Sequence, residues 1–482
     1  MRKIYLYSTL LIILNLGACE DWLNLIPPDG LVQEEYWQTK EDIEAVLMGA
    51  YYQFNQIDEK LFIYGEIRGD LIARDNDMEN YIKNIMEGNI YPNNNLCDWS
   101  EFYKIINYCN FVLKYNPVIH DLDQTYSEYK MKGIETEAKF LRGLSYFYLV
   151  RLFKDVPFIL SPTESDDIEL FLPKTDGEEI LESIKADLLE ARKYVTDDYG
   201  SLENNIGRVS KNAINSLLAD ISLWNFEYED CISYIEEIEK SEIMLVPSGQ
   251  WYSIFYPGNS LEGIFELQFD ANLDQNNTLY KRTYTEENYL ASTTTTELLS
   301  PIFAKEIVRG DGTYRGTDYK IWKYCGSSAD GRTLRPSSEQ SSANWILYRY
   351  ADILLMKAEA LSQINRFDEA IDYLNMIRER ANVEPLSAPQ TPEAFEDIIL
   401  EERAKEFAFE GKRWFDLLRM GRRNDYARKH KLIAILIKNV PANQRLVLAS
   451  KLTDPLGWYL PIEDKELERN NNLVQNSYYE GY

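Results

Sequence analysis

The sequence predicts a mainly α-helical protein of paired antiparallel helices, combined with an irregular, loop-rich half that contains a few short strands. Three observations carry this prediction. Apolar residues recur at steps of three and four in several stretches, which is the spacing of one helix face. Two distant stretches resemble each other at a constant offset. Between them, residues 270–345 are rich in Asn, Thr, Ser, Gly and Tyr and have no helical period.

The chain opens with a predicted secretion signal over residues 1–18. A basic pair at positions 2 and 3 is followed by about twelve mostly apolar residues and then by Cys19. This apolar run is too short for a membrane-spanning helix, which needs about twenty residues. Because Leu16 to Cys19 matches the bacterial lipobox, we expect Cys19 to be acylated. Acyl chains bind membranes with about 0.8 kcal/mol per buried methylene. The alternative is an ordinary signal peptide with an incidental cysteine.

Two stretches predict long amphipathic helices. In TKEDIEAVLMGAYYQF (39–54) the apolar residues form one stripe, and Thr39 with Asp42 resembles a capping box at the start of the helix. ETEAKFLRGLSYFYLVRLF (135–153) carries a similar stripe. We expect Val156-Pro157 to end this helix, since proline disfavours helix at the residue before it.

The internal similarity predicts helical hairpins. YEDCISYI (228–235) and FDEAIDYL (367–374) align at an offset of 367 − 228 = 139, and Ala219 lies over Ala358 at the same offset. Small residues twelve positions apart are typical of tetratricopeptide (TPR) repeats, in which they let two helices approach closely. We predict helix pairs near 211–240 and 346–380, and a third that joins 137–153 to 178–194. Chance similarity is the alternative.

Between the helical stretches, GIFELQF (263–269) alternates apolar and polar residues and predicts a short strand with one buried face. The irregular segments 74–98 and 270–345 are predicted to form binding loops. Long irregular segments in a compact protein are usually functional or disordered.

Composition excludes several classes of function. Lys and Arg total 51 against 79 Asp and Glu, a net charge of −28, and such a surface repels nucleic acid. The chain has only two histidines, which disfavours histidine-rich metal sites and histidine-dependent catalytic triads. Cys97, Cys109, Cys231 and Cys325 lack C-x-x-C spacing. Two interpretations of these cysteines are left as alternatives: a Cys97–Cys109 disulfide and buried free thiols.

Six stretches are similar, in the same order, to segments of one known family. They are DWLNLIPPDG (21–30), AKFLRGLSYFYLVRLFKDVPF (138–158), GRVSKNAINSLLADISLW (207–224), YRYADILLMKAEAL (348–361), EERAKEFAFEGKRWFDLLRMGR (401–422) and LPIEDKELERNNNLVQNSYY (460–479). Together they resemble the SusD/RagB family, the nutrient-binding outer-membrane lipoproteins of Bacteroidetes, over essentially the whole mature chain. Glu20-Asp21 also looks like the acidic export tag of surface lipoproteins in that group.

The resemblance implies a SusD-like fold and a role in nutrient uptake. It implies a lipoprotein held in the outer membrane and exposed at the cell surface, where it captures a glycan and passes it to a SusC-like TonB-dependent transporter. Membrane contact is expected through the lipid anchor alone. After residues 1–18, we expect an N-terminal part, 19–226, and a C-terminal part, 227–482, intertwined as one unit.

The motif residues that carry the resemblance are interpreted as structural. Glu410, Arg413 and Asp416 lie three apart on one predicted helix and can pair with one another. Arg142 and Tyr148 are interpreted in the same way.

The family's ligand pocket draws on loops that correspond here to residues 73–99, 274–289 and 319–326. Aromatic rings in loops suit ligands with flat apolar faces, sugars among them. The candidate sugar-binding residues in these loops are Arg74, Asn76, Tyr91, Asn95, Tyr284, Tyr289 and Trp322. For each one, the alternative is an exposed or packed side chain without a ligand.

Two other functions compete with glycan capture. A glycosidase needs two carboxylates beside the scissile bond, but 79 acidic residues make any proposed pair uninformative, so no catalytic residue is assigned. The second alternative is a lid or TPR adaptor of the transporter that binds no sugar. No cofactor is expected. Residues 75–79 alternate acidic side chains, but Asn80 replaces the glycine of an EF-hand. Calcium therefore remains a possibility without assigned ligands.

Overall fold

Helices dominate the computed structural model, which describes residues 37–74, 78–164, 171–196, 198–286 and 288–480. The helices are α1 Lys40–Asn55, α2 Asp58–Phe62, α3 Asn80–Met86, α4 Ser100–Leu122, α5 Glu128–Phe153, α6 Gly177–Ala191, α7 Leu202–Gly207, α8 Lys211–Trp224, α9 Tyr228–Ile238, α10 Thr293–Leu299, α11 Gly310–Thr313, α12 Tyr350–Gln363, α13 Phe367–Arg380, α14 Pro392–Glu406, α15 Arg413–Tyr426, α16 Lys429–Leu436, α17 Arg445–Lys451 and α18 Asp464–Arg469. The strands are β1 Gly263–Leu267 and β2 Trp345–Arg349. The mainly α-helical fold class is confirmed.

The two long predicted helices form and pack together. Helix α1 buries Ile43, Leu47, Ala50 and Phe54 against α4 and α5. The carboxylate of Asp42 accepts the backbone N–H of Thr39 at 2.8 Å, as a capping box requires. Helix α5 ends at Phe153, ahead of the proline as predicted, but it begins at Glu128, earlier than the periodic stretch.

The predicted helix pairs are confirmed as α5–α6, α8–α9 and α12–α13. The 139-residue offset relates Lys211 to Tyr350 and Trp224 to Gln363, so α8 and α12 have matching first and last residues. Helix α9 packs on α12, which stacks these two pairs. The division at 226/227 lies in the turn between α8 and α9 and stays a prediction.

A glycine permits the close approach of α5 and α6. A Cβ atom added to Gly143 would lie 2.9 Å from Cγ2 of Ile184, which is closer than side chains tolerate without a shift. This glycine has the same function as the small alanines of the other two pairs, Ala219 and Ala358, both of which are fully buried.

Strand β1 pairs antiparallel with β2, with Leu267 opposite Trp345. The expectation of one buried face is wrong, because residues 264–267 are all buried. Glu266, on the face that the alternation assigned to solvent, accepts a hydrogen bond from Asn344 Nδ2 at 2.9 Å. Burial raises the pKa of Glu266 to about 7.

The irregular segments contain short helices that the sequence did not predict. Helix α3 lies in 74–98, and α10 and α11 lie in 270–345. Seven residues or fewer span at most two turns, too few to establish a period. Within the described ranges, no helix is both long enough and apolar enough to cross a bilayer.

Cys97, Cys109, Cys231 and Cys325 are buried free thiols, so the structure contains no Cys97–Cys109 disulfide. Burial raises the pKa of each of these four thiols. Raised pKa values make the thiols poor nucleophiles.

An ion cluster that we call the inner cluster joins the irregular half to α14. Its members are largely or fully buried and comprise five basic and five acidic side chains: Lys323, Arg309, Arg349, Arg378, Arg380, Glu262, Glu306, Glu402, Glu406 and Glu410. Burial alone would raise the pKa of Glu406, but Arg380, Arg349 and Arg309 outweigh it and hold this pKa well below its usual range.

The motif trio is structural, but its members do not pair with one another as predicted. Glu410 precedes α15 and pairs with Arg349, with 2.8 Å between Oε2 and Nε. Arg413 pairs with Asp70 at 2.7 Å. Asp416 pairs with Arg403 at 2.8 Å and with Arg419 at 3.0 Å. Each residue therefore joins its segment to a different element of the fold.

Candidate functional site

Three segments that are distant in sequence lie side by side at one surface of the irregular half. Ile72 and Ala291 form an antiparallel bridge, and the N–H of Ala73 donates to the carbonyl of Leu290 at 2.8 Å. Leu290 in turn bridges to Lys320, and the N–H of Ala291 donates to the carbonyl of Tyr319 at 2.8 Å. These contacts bring together the three loop regions from which the candidate residues were taken.

Arg282 fastens these loops to the helical half. Its Nε lies 2.7 Å from Glu59 Oε1, and its Nη1 lies 2.7 Å from Glu79 and 2.9 Å from Glu286. These carboxylates raise the pKa of the guanidinium despite its partial burial. Because its donors are already engaged, Arg282 positions the surface rather than offering a free charge.

The outer face beside these contacts combines tyrosine rings with two cations, and we call it the Tyr284 surface. It comprises Tyr280, Tyr284, Arg315, Asp318, Tyr319 and Lys320. The rings of Tyr280 and Tyr284 lie 5.3 Å apart. Lys320 Nζ lies 4.2 Å from the centre of the Tyr284 ring, and the guanidinium carbon of Arg315 lies 5.3 Å from it. Cation–π contacts of this kind hold the ring in a fixed orientation.

The polar groups of the Tyr284 surface are also held in place. Arg315 Nε donates to Asp318 Oδ1 at 2.8 Å, and Lys320 Nζ donates to the backbone carbonyl of Tyr284 at 3.1 Å. Burial opposes ionisation of Asp318, but the hydrogen bond from Arg315 outweighs it and lowers the pKa of this carboxyl. The surface therefore carries half-buried or exposed rings beside a carboxylate that stays ionised at neutral pH.

Two of the candidate aromatic residues are core residues in this structure. Tyr289 is 1% exposed, stacks on Phe62 with 4.9 Å between ring centres, and donates its hydroxyl to Glu59 at 3.1 Å. Trp322 is 0% exposed and donates its indole N–H to the carbonyl of Ser328 at 2.7 Å. Neither ring has a face open to a ligand, so we leave both out of the proposal below.

The other candidates are not members of the Tyr284 surface, or they fall outside the described residues. Arg74 is engaged with Glu87 and Gln444 and lines a depression of about 30 Å³, the share of one water molecule in the liquid. Tyr91, 45% exposed, and Asn95, also exposed, lie at the α3–α4 loop. Asn76 and Cys19 fall outside the described residues, so nothing tests their predicted roles.

Of the six residues of the Tyr284 surface, sequence reasoning named only Tyr284 and missed Tyr280, Arg315, Asp318, Tyr319 and Lys320. Arg315 and Lys320 become neighbours because Tyr314 bridges to Ile321 across a tight loop. The only signal of that loop is the short stretch Gly316-Thr317-Asp318, which is typical of a turn. No three His, Cys, Asp or Glu side chains converge as metal ligands within the parts of the chain that the structure describes.

Two family models match successive parts of the chain. Residues 21–223 match a model described as "Starch-binding associating with outer membrane". Residues 265–479 match the model of the SusD family. Together the two matches extend over most of the sequence.

Curated relatives are similar over most of their length. SusD-like protein P38 of Formosa agariphila is 25% identical over 85% of this chain and 90% of its own. SusD-like protein P2 of the same organism is 26% identical over 99% of both chains.

Solved structures of the same fold superpose closely. A SusD superfamily protein from Bacteroides vulgatus has a TM-score of 0.74 at 21% identity, over 92% of this chain and all of its own. A laminarin binding SusD-like protein has a TM-score of 0.69 at 21% identity, with the same coverage. Surface glycan-binding protein A from Bacteroides uniformis has a TM-score of 0.72 at 22% identity, over 91% of this chain and all of its own. At such identities the structures establish the fold alone. The two family models, which match residues 21–223 and 265–479, show that the chain belongs to the SusD/RagB family.

Proposed function

We propose that this protein binds a neutral glycan at the Tyr284 surface and delivers it to a SusC-like TonB-dependent transporter. The observation that carries the proposal is the arrangement of half-buried and exposed tyrosine rings beside Arg315 and Asp318, on loops that the fold brings together. Of the proteins that share the fold, one is described as laminarin binding and another as a surface glycan-binding protein, which supports a glycan as the ligand class.

The chemistry of the Tyr284 surface suits a sugar. The C–H face of a sugar ring can pack on Tyr284, whose orientation Lys320 and Arg315 hold. Sugar hydroxyls can accept from Arg315 and donate to Asp318, and bonds that involve charged groups are the stronger ones. Because these partners are held in place before binding, little conformational entropy is lost when the ligand arrives.

The same groups do not suit glycosidic cleavage, and we propose a binding protein without catalytic activity. A glycosidase needs one carboxyl that is protonated near neutral pH as its general acid. Asp318 is ion-paired with Arg315, and Glu79 and Glu286 both pair with Arg282. Hydrogen bonds from Arg315 lower the pKa of Asp318, and those from Lys281 and Arg282 lower the pKa of Glu286, so neither of these two carboxyls is a proton donor near neutral pH.

We place the protein at the outer membrane, lipid-anchored through Cys19 and exposed at the cell surface. Support comes from the matched family model, whose description names association with the outer membrane. The acidic composition fits a role outside the cell that involves no nucleic acid. The expected partner is the transporter, with the loop-rich half presenting the glycan to it.

Calorimetry on the chain from Glu20 onwards, with a panel of neutral oligosaccharides that includes laminarin fragments, tests the proposal. Tyr284→Ala should weaken binding about fivefold, since one aromatic contact contributes about 1 kcal/mol. Tyr284→Phe is the matched control: it keeps the ring and should retain affinity within about twofold. If no oligosaccharide binds while the protein still associates with the transporter, the lid or adaptor alternative is correct instead.

A further inference from the structure

A cavity lies away from the Tyr284 surface, between the start of α4, residues 157–163 and α18. Its volume is about 340 Å³, within the range of small-ligand pockets. Its lining includes the rings of Trp99, Tyr103 and Phe171, and it shares no lining residue with the Tyr284 surface. Phe171, at 47% exposed, marks its outer side.

The aromatic wall of this cavity is rigid. The Trp99 ring meets Tyr103 edge-on at 5.7 Å and Phe153 at 5.2 Å. The Tyr103 hydroxyl donates to the carbonyl of Pro157 at 2.7 Å, so this phenol is fixed as well. The wall is therefore formed before any ligand arrives.

Most of the polar groups in the lining are already bonded. Asn110 Nδ2 donates to the carbonyls of Ile159 and Ser161 at 3.1 and 3.3 Å, and Asn110 Oδ1 accepts from Arg142 at 2.8 Å. Asn470 Nδ2 donates to the carbonyl of Leu172 at 2.9 Å. These bonds shape the cavity and leave the two amides little capacity for a ligand.

Asn107 differs from these two amides. Its Oδ1 accepts the N–H of Thr163 at 2.8 Å, whereas its Nδ2 donates to no residue among those described. At the rim, Arg469 pairs with Glu466 at 3.0 Å and its side chain is 71% exposed. The cavity thus combines flat apolar walls, one spare amide donor and a rim whose two charges cancel.

We infer that this cavity is a second binding site, for one neutral sugar residue of hexose size. Its volume of about 340 Å³ is large enough to hold one hexose ring. The rings face the C–H groups of the sugar, and Asn107 Nδ2 donates to one of its oxygens. The inference rests on the proposed glycan-binding function and adds a second contact point for a long or branched glycan.

Blocking the cavity with a thiol label tests the inference. Ser100 lines the cavity and is exposed, so Ser100→Cys places a reactive thiol at its mouth. The four native cysteines of the described chain are buried, so a bulky maleimide should label the introduced residue. Ser387→Cys is the matched control, because Ser387 is exposed and lies outside this cavity.

Both cysteine variants are prepared in the Tyr284→Ala background, and methyl glucoside, galactoside and mannoside are the probes in saturation-transfer NMR. We expect at least one methyl hexoside to bind. Labelling at position 100 should weaken its affinity at least tenfold, whereas labelling at position 387 should leave the affinity unchanged. Asn107→Asp, which keeps an acceptor for Thr163 and removes the donor, should weaken binding about fivefold.

Equal binding by the two labelled proteins, or no methyl hexoside bound in the Tyr284→Ala background, overturns the inference. Neither result affects the proposed function, which is tested separately by the oligosaccharide calorimetry on the unmodified Tyr284 surface.

Discussion

At the scale of single residues, ring burial separates core aromatics from candidate ligand contacts. The sequence contains 35 Tyr, 19 Phe and 9 Trp, and nothing in it distinguishes Trp322 from Tyr284. The structure places the indole of Trp322 wholly in the interior, whereas the ring of Tyr284 is half-buried at the surface. Which of two loop aromatics faces outward depends on contacts with remote segments, and local pattern carries no signal of those contacts.

Trp322→Ala should destabilise the fold rather than act on sugar binding alone. Removing a fully buried indole leaves a cavity and leaves the Ser328 carbonyl without its donor. We expect a loss of about 3–5 kcal/mol in the free energy of unfolding, measured by urea denaturation. Trp322, a candidate sugar contact from the sequence, is therefore interpreted as a core residue instead. A variant as stable as the parent, with sugar binding weakened, would restore Trp322 to the site.

Glu66 should make stability depend on pH. Burial raises the pKa of Glu66 to about 8, although its Oε1 accepts the N–H of Gly411 at 2.8 Å and of Lys412 at 3.2 Å. In the unfolded chain the carboxyl ionises near pH 4.3. Between these two pKa values the unfolded state binds fewer protons than the folded state, so the free energy of unfolding falls as pH rises.

Glu66→Gln should remove this part of the pH dependence and raise the free energy of unfolding at pH 8 by on the order of 2 kcal/mol. The amide keeps an acceptor for both N–H groups. Urea denaturation at pH 5 and pH 8 measures the effect, with the exposed Glu379→Gln as control. An identical pH difference in parent and Glu66→Gln would contradict the assignment.

At the scale of elements, the helices that repeat were predictable and the short ones were not. The offset stretches fix α8–α9 and α12–α13, because small residues at a constant spacing require two close helices. Helices α3 and α10 are held by tertiary contacts: Thr295 Oγ1, in α10, donates to the carbonyl of Leu71 at 2.7 Å. The prediction that β1 has one buried face was wrong because the polar Glu266 is buried and accepts a hydrogen bond from Asn344.

Ala358→Leu tests the close approach of the paired helices. Ala358 is fully buried in α12, where three added carbon atoms would force α12 away from its neighbours. Overpacking of this kind costs typically 1–3 kcal/mol, which thermal and urea denaturation would reveal. Met376→Leu, at an exposed position of α13, should change stability by less than about 0.5 kcal/mol. If Ala358→Leu left the stability unchanged, the paired helices would not be closely packed at this position.

At the scale of the whole molecule, the charges of the inner cluster balance, and the net charge lies outside that cluster. The inner cluster has five basic and five acidic side chains, so the chain's net −28 arises elsewhere. Composition gave the total charge but could not show which charges are buried together, since the ion pairs of the inner cluster join residues up to 118 positions apart. An acidic exterior disfavours anionic polysaccharides, which is why a neutral glycan is proposed.

Cys19→Ser tests how the whole molecule is held at the membrane. Without the thiol there is no acylation site, and the expected result is release of the protein into the soluble fraction. Fractionation of cells that produce the parent or Cys19→Ser, followed by immunoblotting, measures this. The Ser387→Cys protein, which keeps Cys19, serves as the control and should stay in the membrane fraction. Membrane retention of Cys19→Ser would refute the lipid assignment.

The backbone contacts among residues 72–73, 290–291 and 319–320 have a consequence for biogenesis. During synthesis Tyr284 is added before residue 320, so the backbone contacts that hold its loop cannot yet form. A fragment that ends within the first half of the chain lacks Tyr284 altogether. The proposed glycan-binding surface is therefore complete only after residue 320 has been synthesised. Retention on an immobilised carbohydrate column would sort finished molecules from incomplete ones.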